Sequence, residues 1–102
     1  MNRFGKPYRS SASLTKADIP LKASRWHEVV EFAATFQVVE HSAFQGMSIP
    51  LDDLDAGSSI DSIRFTLYTE WRRWNHFGYI PTSDVLPMIQ KALDLLREKL
   101  PH

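Results

Sequence analysis

The chain has the sequence of a small all-α protein, a three-helix bundle with room for one extra short helical turn, preceded by a flexible arm. Three observations predict this. Apolar residues recur at every third or fourth position in three separate stretches, and no stretch alternates apolar and polar as a strand does. Serine, glycine and proline stand where helices begin and end. The first 21 residues carry no sustained apolar period and contain Gly5, Pro7, a Ser10-Ser11-Ala12-Ser13 run and Pro20.

At 102 residues the length suits one domain, and 43% hydrophobic residues with twelve aromatics are enough for a packed core. The boundaries follow: residues 1–21 form a basic N-terminal arm, with a brief turn at Thr15 to Asp18, and residues 22–102 form the helical domain. A basic, serine-rich arm also suits an organellar transit peptide, but Gly5 and Pro7 would interrupt the amphipathic helix such peptides form.

The first helix is predicted to start at Ser24, an N-cap residue type, with Glu28 near the positive end of its dipole. Trp26, Val29, Val30, Ala33 and Phe36 share a face, with Phe32 beside them, and the helix fades near Glu40-His41. Between Ser42 and Ser59, Pro50 can open a helical turn over Leu51 to Leu54. The second helix runs from about Ser59 to Phe77 and stops at Gly78, whose freedom at positive φ suits a left-handed cap. Ile60, Ile63, Leu67, Trp71 and Trp74 form its core stripe. The third helix is capped by Asp84, takes Pro87 in its first turn, and buries Leu86, Ile89, Leu93, Leu96 and Leu100 before Pro101.

Composition removes several chemistries. Without cysteine there is no disulfide, thiolate zinc site or cysteine nucleophile. No apolar run approaches the ~20 residues of a membrane helix, so a soluble cytoplasmic protein with no membrane contact is expected. With Asp52 in first position, the acidic run fails as a calcium loop: Leu54, Ala56 and Ile63 occupy ligand positions. His27 and Glu31 lie one helical turn apart, but two ligands do not close a metal site. No phosphate-binding glycine loop and no nucleophile elbow is present. No catalytic, metal or cofactor set is therefore predicted, and the expectation is a protein without enzymatic activity.

The second helix holds the densest cluster of functional side chains, Ile63 to Gly78, IRFTLYTEWRRWNHFG. Within it, Glu70, Arg72, Arg73, Trp74, His76, Phe77 and Gly78 spell Glu-x-Arg-Arg-Trp-x-His-Phe-Gly. The segment is similar to one found in a family of small uncharacterised bacterial proteins, and the stretch from Glu31 to Phe36 with Glu40-His41 also resembles that family. The resemblance spans about Trp26 to Leu100. It implies a bacterial origin and a shared fold, and brings no activity with it.

Read physically, the helix offers two candidate sites. Phe65, Tyr68, Arg72 and His76 form a stripe away from the core stripe, a candidate surface for a protein partner or a second copy of the chain. Glu70 and Arg73, an i, i+3 pair at the edge of the core, are either a structural ion pair or a carboxylate and guanidinium lining a pocket. The chain is neutral overall, with twelve bases and twelve acids, but residues 1–25 hold six bases and one acid, a net +5 that leaves −5 elsewhere. Neutrality favours self-association. The basic arm, with Phe4 and Tyr8 among its charges, joins Arg72 in an alternative reading as a nucleic-acid binder, against which stands the acidic folded part.

Overall fold

The computed structural model of the chain describes residues 15–34 and 49–100. Three helices, α1 (Trp26–Ala34), α2 (Ile60–Phe77) and α3 (Leu86–Lys99), are accompanied by single 3₁₀ turns at Lys16–Asp18 and Leu51–Asp53. No strand occurs among the described residues, and no described helix is long and apolar enough to cross a membrane. Phe36, the expected end of the first helix near Glu40-His41, and residues 1–14 of the arm lie outside the described residues.

Helix α2 packs against both α1 and α3. The Ser59 hydroxyl accepts from Ser62 N at 3.0 Å, satisfying one of the free amides of the first turn. At the other end Gly78 takes φ 68° and donates its N–H to Trp74 O at 2.9 Å, the expected left-handed cap. Ile63 and Leu67 are fully enclosed, as are Ile89, Leu93 and Leu96 on the facing ridge of α3. Val29 and Phe32 of α1, Leu51 of the second turn, Leu54 just after it, and Leu100 also belong to this main cluster. Each side chain of this kind contributes on the order of 1.5–3 kcal/mol by leaving water. A smaller cluster joins Ala33, Ala34 and Trp71, with Trp74 only half-buried against it.

Two helix starts differ from expectation. Helix α1 is preceded by Arg25, not Ser24: the Arg25 carbonyl accepts from Glu28 N and Val29 N, and its guanidinium pairs with Glu28. Helix α3 is preceded by Val85 in helical conformation, because the Thr82 carbonyl already accepts from Val85 N and Leu86 N. That extra turn places Asp84 on the exposed surface, with no capping bond.

The packed chain also begins earlier than the boundary at residue 21/22. Thr15 and Asp18 close the first turn, with Thr15 N donating to Asp18 Oδ2 at 2.8 Å, and Ile19 enters the main cluster at only 4% exposure. Two residues of α3, two turns apart on one face, hold this segment. Arg97 Nη1 donates to Lys16 O at 3.1 Å and to Ile19 O at 2.9 Å. Gln90 accepts from Ala23 N at 2.6 Å and donates to Leu21 O at 3.0 Å. Thr15 to Pro20 thus belongs to the folded unit and not to the arm.

Candidate functional site

Helix α2 distributes its functional side chains over two neighbouring places. Around the helix from the core stripe, Phe65 and Tyr68 lie with ring centroids 5.7 Å apart, and the Arg72 guanidinium sits over the Tyr68 ring at 5.9 Å. Tyr68 also stacks on Trp71 at 5.5 Å and packs against both apolar clusters. Phe65, Tyr68 and Arg72 are accordingly half-buried, a continuous aromatic-cation row. His76 stands apart from that row. It is exposed, and its ring lies 6.2 Å from Phe77.

Beyond His76 the surface turns apolar. Phe77 is 83% exposed and Ile80 65%, on either side of the Gly78 cap, whose reversal of the chain brings both residues to the end of α2. Neither belonged to the stripe expected from helical spacing. Their signal was available all the same: large apolar residues at a helix terminus have no following turn to cover them.

The second place is a groove of about 430 Å³ between α2, the start of α3 and the segment leading into Leu51. Ile49, Leu51, Val85 and Met88 give it apolar walls, while Thr66, Thr69, Glu70, Arg73 and Tyr79 add polar groups. Thr66 is internally committed: its hydroxyl donates to Ser62 O at 2.7 Å and accepts from Ile49 N at 3.3 Å, tying the wall to α2. Thr69 donates to Phe65 O at 2.9 Å and keeps acceptor capacity.

Glu70 and Arg73 meet here, Arg73 Nη1 donating to Glu70 Oε2 at 3.2 Å. The two partners are unequal. The Glu70 side chain is 8% exposed and the Arg73 side chain 58%, so the carboxylate belongs to the wall and the guanidinium to the rim. The other carboxylate oxygen, Oε1, is buried without a hydrogen-bond partner. An unmade bond at a buried acceptor costs ~1–3 kcal/mol, and more when the group is charged. Burial pushes the Glu70 carboxyl above the usual carboxylate range, and the nearby Arg73 cation pulls it part of the way back. Glu70 and Arg73 both line this groove, and His76 does not.

Arg64 was not singled out by sequence, yet it is buried, with Nη1 3.8 Å from Asp61 Oδ1. Burial lowers its pKa while Asp61 raises it, although arginine keeps its charge at any ordinary pH. Among the described residues no three His, Asp or Glu side chains converge on one point where a cation could sit.

No protein-family model matches the chain, and neither a curated protein nor a solved structure matches it.

Proposed function

We propose that the protein is a non-enzymatic helical interaction module that self-associates through the C-terminal end of α2. The observation that carries this reading is the exposure of Phe77 and Ile80, 83% and 65%, beside the cations Arg72 and Arg73 and the His76 ring. Large exposed apolar side chains next to arginine have the composition of an interface centre. A second copy is the occupant that charge favours. The exposed residues Asp52, Asp53, Asp55 and Asp61 outnumber the cations beside them, Lys99 on the Ala56 carbonyl and Arg64 near Asp61, which leaves a net acidic surface complementary to the basic end of α2. Contact between unlike patches is head-to-tail and builds a ring or an open chain. Phe65 and Tyr68 take a supporting part in this reading, the Tyr68 ring lying under the Arg72 guanidinium.

Sedimentation of the full chain over a concentration series tests the proposal. Parent protein is expected to associate, more weakly as salt screens the charged rim. Phe77→Ser with Ile80→Ser is expected to return it to monomer with an unchanged far-UV helical signal, because neither side chain is in the core. A parent that stays monomeric throughout, or a double variant that associates like the parent, overturns the reading. A complex formed only with added bulk nucleic acid would replace it by the nucleic-acid reading.

A further inference from the structure

The groove beside α2 has a chemistry of its own, separate from the exposed end of the helix. Its volume of about 430 Å³ falls within the ~300–1,000 Å³ of small-molecule sites. Its wall holds a carboxylate with one oxygen committed to Arg73 and the other buried and unpartnered. What that oxygen lacks is an N–H or O–H donor.

The identity of the donor follows from charge. A simple ammonium on Glu70 would sit beside the Arg73 guanidinium, so each cation would oppose the other. A ligand that brings its own anion removes the conflict, because Arg73 can transfer its hydrogen bond to that anion. Arg73 is free to do so: its side chain is 58% exposed and makes a single 3.2 Å contact to Glu70. The pair is neutral as a whole, which matches a ligand that is neutral as a whole but carries both charges close together. The remaining walls, Ile49, Leu51, Val85 and Met88, call for an apolar body.

We propose that this groove binds the free zwitterion of an apolar α-amino acid, its ammonium on Glu70, its carboxylate on Arg73 and its side chain among Ile49, Leu51, Val85 and Met88. In this mode the Arg73 guanidinium moves outward from Glu70 Oε2, and the Glu70 carboxyl turns so that Oε1 meets the ammonium. A charged donor thereby replaces an unmade bond, and the carboxylate–guanidinium pair changes partners without a net loss of ion pairs.

Calorimetric titration of the full chain with leucine and with methionine tests this, beside leucinamide, which lacks the carboxylate, and N-acetylleucine, which lacks the ammonium. At least one free amino acid is expected to bind, with both analogues weaker by about 10-fold or more, the change that loss of a charged hydrogen bond produces. Glu70→Gln is expected to weaken binding of the amino acid about 10- to 100-fold while the protein keeps its helical signal. Arg73→Met is expected to weaken the amino acid and leave leucinamide unaffected or improved, a reversal that general damage to the groove would not give. The variant with Phe77→Ser and Ile80→Ser is expected to bind like the parent, so that failure of self-association and failure of this site remain distinguishable. Absence of heat or of any thermal shift with either amino acid at tens of millimolar overturns the proposal, as does leucinamide binding as tightly as leucine.

Discussion

Ile19 offers the sharpest test of how this fold is closed. Sequence pattern assigns it to the arm; the structure puts it at 4% exposure in the main cluster, under carbonyls held by Arg97. Replacement of a buried isoleucine by alanine removes its transfer free energy and leaves a cavity, together ~2–5 kcal/mol in a closed core. Ile19 lies where the N-terminal segment covers the bundle, so part of the cavity can relax, and the lower half of that range, ~2–3.5 kcal/mol, is expected. The loss has a ceiling. Once it exceeds the net free energy of docking, the segment releases and regains backbone freedom worth ~1–2 kcal/mol per residue, which caps any further cost. Urea denaturation followed by tryptophan fluorescence measures the change, and a thermal scan should show a midpoint lower by about 8–28 °C, at ~4–8 °C per kcal/mol for a domain of this size. A chain beginning at Leu21, compared with one beginning at Thr15, should move in the same direction. Ile19→Ala within 1 kcal/mol of the parent, on the scale of ordinary surface changes, would refute the docked segment and restore the boundary at residue 21.

Three further predictions concern α2. Because burial raises the Glu70 carboxyl, the native state holds its proton more tightly than the unfolded chain; this favours folding at low pH and is lost as pH rises through the folded-state value. Stability of the parent relative to Glu70→Gln, measured by denaturation at about pH 4 and about pH 7.5, should therefore fall as pH rises, and a constant or rising difference would contradict the assignment. Trp71→Ala should cost on the order of 3–5 kcal/mol and Trp74→Ala clearly less, since Trp71 is buried and Trp74 half-buried; equal losses in urea titrations would place the smaller cluster wrongly. Ser59→Ala should cost about 1 kcal/mol through the lost cap, and Gly78→Ala about 1–2 kcal/mol of backbone strain alone, because a Cβ there meets nothing within 4 Å. Circular dichroism melts would record both, and a neutral Gly78→Ala would mean that the cap is not left-handed.

Helices α2 and α3 were legible because their signals are local. Ser59, Gly78 and the run Ile63, Leu67, Trp71 each act within a turn or two of themselves, and the Ile89, Leu93, Leu96 ridge does the same. Ile19 was not legible, because one apolar residue in a polar stretch has no period and its partner Arg97 is 78 positions away. Asp84 is a good capping residue displaced by a turn starting at Thr82, a competition decided by geometry and not by propensity. Arg64 could have been found: it stands four residues after Ile60 and three before Leu67, on the flank of the core stripe opposite to Glu70, which spacing already put at the core edge. Charge alone argued for placing Arg64 outside. What spacing could not supply was the depth at which Arg64 and Glu70 are buried or the unpartnered oxygen of Glu70, since the Ile49–Leu51 segment and the start of α3 form the opposite wall of the groove.

The clasp made by Gln90 and Arg97 bears on how the chain can be cut and rejoined. Lys16 and Ile19, near the first described residues, are bonded to a side chain only three positions before the last, Leu100. In a chain cut to residues 15–100, a short flexible linker from Leu100 back to Thr15 would therefore stretch no helix. The exposed turn at Asp55 to Ser58, where Lys99 Nζ touches the Ala56 carbonyl at 2.8 Å, gives a place to open the ring away from the main cluster. That shortened chain, permuted in this turn, would begin at Ser58, run through α2 and α3, cross the new linker and finish at Gly57. In that order the Gln90 and Arg97 contacts to the Lys16–Ala23 segment become nearly local, so the closure entropy they impose on folding falls. The permutant should fold faster than the parent by stopped-flow fluorescence while keeping the same helices.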